Sequence, residues 1–300
     1  MTDARPDFDV IALGETMLAL APPPGDSIER CESLLVDHAG AESNTCVGLA
    51  RLGLHVAWVS RLGSDSAGDR ILESLRQEGI ETRWVRRDRQ RPTALMLKDP
   101  VAGVRYYRTA SAASVLSPED LTDVPLANAR AVFVTGVTAL LGPQPYATGL
   151  ALLASARGLR IVDPNLRAGL WGSDRRVELV LPFIERCDLL LAGSQELAEL
   201  IGAGDVKALA HRAADRGPRE VVVRDASRVG ALAADRVWRE LEIRRDAAVD
   251  SIGAGDAFNA GYVAIRLRGG SIEEALRAGA RCGAAVTTTP SDTSGFPRGL

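Results

Sequence analysis

The chain has 300 residues, of which 46% are hydrophobic and 25% charged, as expected for one large globular domain or two unequal ones. Its formal net charge is −3 and no basic run stands out, so we expect no nucleic acid as a partner. The first ten residues lack an apolar segment, and no apolar stretch reaches the roughly 20 residues that a transmembrane helix requires. We therefore predict a cytoplasmic protein with no membrane partner.

The cysteines and histidines give no sign of a metal site. The four cysteines lack CxxC spacing, and the three histidines form no metal-spaced cluster. We interpret the cysteines as reduced thiols, mostly packed in the interior, and predict no metal ligands. The residues concerned are Cys31, Cys46, Cys187, Cys282, His38, His55 and His211.

Strand-like apolar runs alternate with helical ones along most of the chain. Such alternation favours an α/β fold in which helices cover both faces of a parallel sheet. Asn44 is predicted to cap the first helix. The predicted strands are 8–13, 56–60, 131–135, 159–162, 189–192 and 221–223, and the predicted helices are 44–52, 67–78, 146–156, 175–186, 196–201 and 206–216.

Two strand pairs without an intervening helix interrupt this pattern. Residues 15–21 with 33–37, and 93–98 with 104–109, are interpreted as a small β-sheet that forms a lid over the site. The lid would comprise 15–38 and 92–110, and the α/β core 1–14, 39–91 and 111–300. Because exposed strand edges favour pairing with another chain, we expect a homo-oligomer, a dimer through the lid.

The most informative motif is the glycine loop at residues 250–258, which read DSIGAGDAF. The apolar residues after it have helical spacing, so the loop amides would lie at the positive end of a helix, where phosphate binds. Asp256 is then placed to accept a proton from a hydroxyl, which suits a kinase that acts on a small alcohol. The alternative is an ordinary helix N-terminus with Asp256 as its cap.

Polar side chains elsewhere offer candidate ligands, each with a structural alternative. Tyr106 and Arg108 share one face of a strand and suit a carboxylate or sugar hydroxyls, or else the strand turns its charges to water. Arg167 follows a buried strand and is a candidate anion ligand or part of a turn. Asn44 would hold substrate hydroxyls or cap a helix. Glu196 would orient water around Mg²⁺ or cap its own helix.

Two stretches, 40–53 with 63–68 and 250–261, carry a resemblance to the ribokinase-like (PfkB) family of sugar kinases. The resemblance runs from about residue 8 to residue 297, and it implies a ribokinase-like three-layer α/β/α domain, a mainly parallel central sheet and a small β-sheet lid. ATP and Mg²⁺ are the implied cofactors. The segments GETM (14–17), YYR (106–108) and DPNLR (163–167) are most similar to the 2-keto-3-deoxygluconate kinases.

The resemblance also implies roles for individual residues. Asp256 would be the general base, and Gly253, Ala254 and Gly255 would supply the catalytic amides. The implied substrate contacts are Gly40, Asn44, Tyr106, Arg108, Arg167 and Asp292. The nucleotide contacts would be Asn165, Gly193, Glu196, Arg224, Gly230, Gly253 and Gly255.

The sequence therefore predicts ATP-dependent phosphorylation of the terminal hydroxyl of a sugar acid, most simply 2-keto-3-deoxygluconate to its 6-phosphate. Arg108 and Arg167 favour an acidic sugar over a neutral one. Met96 replaces a tyrosine that similar enzymes often turn toward the substrate, and the turn at 224–230 lacks the family's first glycine. These departures keep two alternatives open: a kinase for a neutral sugar such as fructose, and a catalytically weak sugar-binding regulatory protein.

Overall fold

A computed structural model describes residues 6–166, 176–243, 253–287 and 292–299 of the chain. The strands in these residues are β1 (Phe8–Leu13), β2 (Met17–Ala21), β3 (Leu35–Ala39), β4 (Val56–Gly63), β5 (Val85–Asp88), β6 (Leu95–Asp99), β7 (Gly103–Tyr107), β8 (Ala129–Thr135), β9 (Leu159–Asp163), β10 (Leu189–Gly193), β11 (Glu220–Arg224), β12 (Arg228–Leu232) and β13 (Trp238–Glu242). The helices are α1 (Ala41–Arg51), α2 (Ser66–Gln77), α3 (Gly136–Leu140), α4 (Pro143–Ser155), α5 (Leu181–Ile184), α6 (Ser194–Ile201), α7 (Val206–Ala214), α8 (Ala254–Leu267) and α9 (Ile272–Val286).

The main sheet has the strand order β13-β12-β11-β10-β9-β8-β1-β4-β5 within the described part of the chain. The seven strands β11, β10, β9, β8, β1, β4 and β5, in this spatial order, pair in parallel. Strands β12 and β13 are antiparallel to their neighbours. All the parallel strands therefore end at the same edge of the sheet. This common edge gathers the loops that follow the strands, which is where open α/β sheets bind their ligands.

The side chains of β1 alternate between the two faces of the main sheet and so enter two separate hydrophobic cores. Val10 and Ala12 enter the core beneath α1, α2, α8 and α9, whereas Ile11 and Leu13 enter the core beneath α3 to α7. Both faces of the strand are fully buried, which explains its continuous run of apolar residues. The predicted three-layer α/β/α fold class is confirmed.

A second, smaller sheet has the order β3-β2-β6-β7 and lies apart from the main one. Strands β2 and β6 are parallel, and β3 and β7 add to them antiparallel on either side. One face is apolar and buried, with Met17, Ala19 and Met96 at its centre. The predicted small sheet is thus present, while the residue limits of a separate lid domain stay a prediction.

Some elements differ from the sequence prediction. Helix α1 begins at Ala41 with Gly40 as its N-cap residue, so the prediction that Asn44 caps this helix is wrong. The predicted helix 175–186 is, from residue 176 onward, a 3₁₀ turn followed by the one-turn helix α5. Pro182 lies in the first turn of α5, where its missing N–H is tolerated. No described helix is both long and apolar enough to span a membrane.

The contact between α4 and α5 gives a test of the packing. A Cβ atom at Gly149 of α4 would lie 2.6 Å from Cζ of Phe183, a fully buried ring on α5. We expect Gly149→Ala to lower the free energy of unfolding by about 1–3 kcal/mol, measured by urea denaturation, because the ring must move within a close-packed core. Combining it with Phe183→Leu should recover part of this loss. Strictly additive costs for the two substitutions would refute the steric explanation.

Candidate active site

The carboxyl ends of the parallel strands and the buried face of the small sheet enclose a cavity of about 230 Å³. Ligands of open parallel sheets bind at such a position. Six predicted site residues from distant parts of the chain lie together at the wall of this cavity. They are Gly40, Asn44, Tyr106, Asn165, Asp256 and Asp292.

Asp256 lies in the first turn of α8, and it is buried at the cavity wall with 2% of its surface exposed. Asn44 Nδ2 donates a hydrogen bond to Oδ2 of this carboxylate (2.9 Å), and Asn165 Nδ2 lies 3.5 Å from Oδ1. Each carboxylate oxygen thus accepts from a different element, which holds the group in one orientation. A carboxylate held in this way is suited to take a proton from a hydroxyl bound in the cavity.

Gly253 precedes α8 and has a left-handed backbone with φ 84°. A Cβ atom there would lie 2.6 Å from the carbonyl oxygen of Asp292, so glycine is required both for the conformation and for the space. Ala254 and Gly255 follow in the first helical turn, where N–H groups have no acceptor within the helix and lie at the positive end of its dipole. The geometry suits an anion. Residues 250–252 of the glycine loop lie outside the described residues.

Asp163, the last residue of β9, anchors a buried charged network beside this loop. Its carboxylate accepts hydrogen bonds from Arg224 Nη2 (3.0 Å) and Asn259 Nδ2 (2.7 Å). Arg224 also donates to the carbonyl oxygen of Gly255 (3.3 Å). Burial lowers the pKa of Arg224, but the carboxylates of Asp163 and Glu196 outweigh burial, and the pKa is raised overall. A permanent positive charge therefore lies next to the first turn of α8.

Gly193 and Glu196 lie one strand further along, where β10 leads into α6. Glu196 Oε2 accepts from the backbone N–H of Gly193 (2.6 Å), and Oε1 accepts from that of Leu166 (2.7 Å). Glu196 thus caps its own helix and ties it to the loop after β9. Burial and the charge of Asp163 raise the pKa of Glu196, against the opposing effect of Arg224. Each oxygen retains a second lone pair, so this capping role leaves room for a ligand contact.

The segment predicted as the nucleotide turn is a short hairpin connection. Arg224 ends β11 and Arg228 begins β12, so the turn itself comprises residues 225–227. Gly230 lies inside β12, paired with Val223, and a Cβ atom there would collide with the indole of Trp238. The structure therefore brings Arg224 to the site and places Gly230 within the sheet. A nucleotide contact from Gly230 stays a prediction from the resemblance.

Arg108, just after β7, forms an ion pair that the sequence analysis did not foresee. Its Nη2 lies 2.7 Å from Oε2 of Glu15, which lines the cavity, and Ser111 Oγ donates to Oε1 of Glu15 (2.8 Å). Burial raises the pKa of Glu15, and Arg108 and Ser111 oppose this rise only in part. An anionic substrate would consequently share the charge of Arg108 with a buried carboxylate.

Lys98 of β6 is a second cation near the cavity, and its Nζ contacts Oδ1 of Asp292. Because strand side chains alternate, Lys98 lies on the same face of β6 as Met96, which lines the cavity. The ion pair joins the small sheet to the segment that follows α9. Arg167, the other predicted anion ligand, lies outside the described residues.

Glu42 is fully buried behind the cavity wall, in the first turn of α1. Its Oε1 accepts hydrogen bonds from Thr135 N (3.1 Å), Thr135 Oγ1 (2.7 Å) and Thr138 Oγ1 (2.9 Å). A Cβ atom at Gly14 would collide with this carboxyl group. Burial raises the pKa of Glu42 to about 7, although the threonine hydrogen bonds act in the opposite direction. Glu42 thus links the ends of β1 and β8 beneath the cavity.

Four residues of this site are absent from the sequence prediction, although some carry a signal. Asn259 is one helical turn from Asp256, and Lys98 is two strand positions from Met96. Glu15 and Asp163 lie where a strand meets a loop. This pattern places them near the site but does not predict which residues they bind. The contacts across the site could not be read from spacing.

A model of the pfkB family of carbohydrate kinases matches residues 7–298. The chain therefore belongs to the pfkB carbohydrate kinase family and is a carbohydrate kinase. The predicted family and enzyme class are confirmed.

Curated relatives that are named as sugar or sugar-acid kinases align with nearly the full length of the chain. The 2-dehydro-3-deoxygalactonokinase of Haloferax volcanii is 31% identical over 95% of this chain and 92% of its own length. The 2-dehydro-3-deoxygluconokinase of Bacillus subtilis is 30% identical, with 97% and 93% covered. A fructokinase of Klebsiella pneumoniae is 29% identical, with 95% of each chain covered.

Solved structures agree with the fold. A PfkB protein from Polaromonas sp. JS666 superposes with a TM-score of 0.84 at 31% identity, covering 94% of this chain and 96% of the other. An Escherichia coli ribokinase II, solved in complex with ATP and Mg²⁺, reaches a TM-score of 0.88 at 19% identity, with 96% of each chain covered. The latter likeness establishes the fold alone.

Glu42 gives this site a testable pH dependence. Because its pKa rises from 4.5 to about 7 on folding, the native state binds more protons than the unfolded state in that range, and the free energy of unfolding falls as pH rises. Glu42→Gln mimics the neutral acid and lacks this titration. We expect its stability relative to wild type to increase by on the order of 1–3 kcal/mol between about pH 5 and about pH 8, measured by urea denaturation.

The matched control is Glu73→Gln, at an exposed position on α2. Its stability relative to wild type should stay nearly constant over the same pH range. A constant difference for Glu42→Gln as well would show that Glu42 does not change its protonation on folding.

Proposed function

We propose that this kinase transfers the γ-phosphoryl group of ATP to the terminal hydroxyl of a sugar acid. The proposed substrate is 2-keto-3-deoxygluconate, and the product is its 6-phosphate. The observation that carries the proposal is the position of Asp256: a buried carboxylate, held by Asn44 and Asn165, between a sugar-sized cavity and the start of α8. The 2-dehydro-3-deoxygluconokinase and 2-dehydro-3-deoxygalactonokinase relatives support a sugar acid.

In this mechanism Asp256 accepts the proton of the terminal hydroxyl as its oxygen attacks the γ-phosphorus and the bond to the β-phosphate oxygen breaks. The amides of Gly253, Ala254 and Gly255 stabilise negative charge on the transferring group, together with the dipole of α8. Arg224 adds a positive charge behind these amides, fixed by Asp163. Because Asp256 takes the proton, the hydroxyl oxygen becomes a stronger nucleophile only while it is bound in the cavity.

The donor set also fits a magnesium nucleotide. Asn165, Gly193 and Glu196 stand at the ends of β9 and β10, next to the amide loop, and would hold the nucleotide and the water shell of its ion. No cluster of three or more potential metal ligands occurs among the described residues. Mg²⁺, when bound, neutralises charge on the phosphates.

A neutral sugar is the second candidate substrate, and specific contacts favour it. Arg108 is paired with Glu15 and Lys98 with Asp292, so each of these two cations already has a carboxylate partner. The carboxylate of an acidic substrate would have to share these cations with Glu15 and Asp292. The relative that is a fructokinase fits this alternative. We favour the acid because the 2-dehydro-3-deoxygalactonokinase and 2-dehydro-3-deoxygluconokinase relatives are slightly more similar to this chain than the fructokinase, at 31% and 30% against 29% identity.

The small sheet would act as a lid that excludes water from the cavity and so limits hydrolysis of ATP. Its outer strand β3 exposes Leu35 and Val36, and Tyr107 is exposed on β7. Contact with the lid of a second copy would cover these side chains, and our proposal therefore includes a homodimer through the lid. We also propose a cytoplasmic location.

The direct experiment measures ATP consumption by the purified protein with Mg²⁺ on 2-keto-3-deoxygluconate, 2-keto-3-deoxygalactonate, fructose, ribose and no sugar. Turnover mainly on a keto acid is the expected result. Turnover on fructose alone would establish the neutral-sugar alternative. Heat stabilisation by ATP without turnover of any sugar would favour a sugar-binding regulatory protein.

Asp256→Asn tests the general base. We expect turnover to fall by at least about a hundredfold, because the amide cannot accept the proton, while ATP affinity measured by calorimetry changes little. Asp120→Asn is the matched control: Asp120 is equally buried and pairs with Arg61, yet it does not line the cavity. It should lose stability and keep turnover. Wild-type turnover in Asp256→Asn would eliminate Asp256 as the base.

Arg108→Gln tests the choice between acidic and neutral sugars. If the substrate carboxylate binds Arg108, the KM for the acid should rise about tenfold or more, since hydrogen bonds to charged groups contribute about 1.5–3 kcal/mol, while the KM for ATP stays constant. Arg105→Gln is the control, because Arg105 is exposed on the opposite face of β7. An unchanged KM for the acid in Arg108→Gln would show that its carboxylate binds elsewhere.

A further inference from the structure

We propose that Arg51 is a positioning residue for the sugar site: it fixes the segment 292–299, here called the strap, so that Asp292 faces the cavity. This inference rests on the proposed function, because it assigns Asp292 to the sugar. Arg51 does not line the cavity itself. Its effect would reach the substrate only through the strap.

The contacts of Arg51 form a clamp. Its Nη1 donates to the carbonyl oxygens of Thr293 (2.6 Å) and Phe296 (3.4 Å) on the strap. Its Nε and Nη2 bind both carboxylate oxygens of Glu78 at 2.8 and 2.6 Å. Only 10% of the Arg51 side chain is exposed, so this paired charge is largely shielded from water. The planar guanidinium meets both demands at once, which the single ammonium of lysine cannot do.

A second point of attachment lies beside the clamp. Phe296 is buried against α1 and α8, with 4% of its surface exposed. It fills a notch left by Gly48, where a Cβ atom would lie 2.5 Å from Cε1 of the ring. The strap is therefore held by a charged contact and by an aromatic contact, both within a few residues of Asp292.

Asp292, at the start of the strap, touches all three parts of the site. Its carboxylate lines the cavity and pairs with Lys98 of the small sheet. Its backbone carbonyl packs against Gly253, the residue that begins the catalytic amide loop. A shift of the strap would therefore move a sugar ligand, a contact of the small sheet and a neighbour of the phosphate site together.

Helix α1 carries residues that hold both Asp256 and the strap with Asp292. Asn44, which binds Asp256, and Arg51, which holds the strap, are seven residues apart and so lie on the same face two turns apart. Gly48 lies between them on that face. One rigid helix thus sets the position of Asp256 relative to Asp292. Misplacement of a substrate-positioning group by about 1 Å can cost roughly a hundredfold in rate.

The test compares Arg51→Lys with Arg298→Ala. Arg298 also approaches Glu78, at 3.6 Å, but its side chain is 74% exposed, whereas that of Arg51 is 10% exposed. We expect Arg51→Lys to raise the KM for the sugar about tenfold while the KM for ATP stays within about twofold. Arg298→Ala should change neither constant. An unchanged sugar KM in folded Arg51→Lys would overturn the proposal.

Two further measurements separate positioning from general stability. In an Asp292→Asn background, Arg51→Lys should have little further effect on the sugar KM, because its route to the substrate is already broken; a full additional effect would contradict the proposal. Phe296→Leu should reproduce the selective rise in sugar KM, because it removes the aromatic contact of the strap and leaves Arg51 and helix α1 unchanged. If Phe296→Leu folds and keeps the wild-type KM, the strap does not position the sugar ligand.

Hydrogen exchange distinguishes failure of this inference from failure of the proposed function. The backbone N–H of Phe296 donates to Thr293 O (3.1 Å), and its exchange should accelerate in Arg51→Lys whether or not a sugar is turned over. Unchanged exchange would overturn the clamp. A wild-type chain that neither turns over nor binds a sugar would refute the proposed function and the role of Asp292, even if exchange showed the clamp to be real.

Discussion

The site depends on one constraint: a carboxylate that is buried at the start of a helix must be held by donors from other elements. Asp256 satisfies it through Asn44 of α1 and Asn165 of the loop after β9. Burying an unsupported charge would cost several kcal/mol, so these amides are a condition for the fold as well as for the chemistry. The start of α8, the end of β9 and the first turn of α1 must therefore meet at one place.

The charged network around Asp163 meets the same constraint beside the start of α8. Asp163 and Asn259 are fully buried, the side chain of Arg224 is 18% exposed, and the three side chains form hydrogen bonds with one another from rigid elements. Such a network keeps its dipoles oriented before a ligand arrives, which is the condition for electrostatic stabilisation of a transition state. Beside the small sheet the charges form separate pairs: Glu15 with Arg108 next to that sheet, and Lys98 with Asp292, which joins the sheet to the segment after α9.

The sequence was sufficient for the fold class and for six of the thirteen residues that line the cavity, because apolar runs and the glycine motif report local requirements. The prediction that Asn44 caps α1 is wrong, because its side chain reaches across to Asp256 instead. Helix α9 was missed although Ser271 and Glu274 form a capping box at its start and its apolar residues lie on one face. Glu15 and Lys98 show the general limit: ion pairs between distant segments depend on tertiary approach, which no local period encodes.

The cavity wall joins Glu15, near one end of the numbering, to Asp292, near the other. Contacts of such large sequence separation require a long loop to close before they contribute. The main sheet does not depend on the segment that carries Asp292, yet the cavity wall is incomplete until that segment has docked. Turnover should therefore be more sensitive than overall folding to any change that loosens this segment.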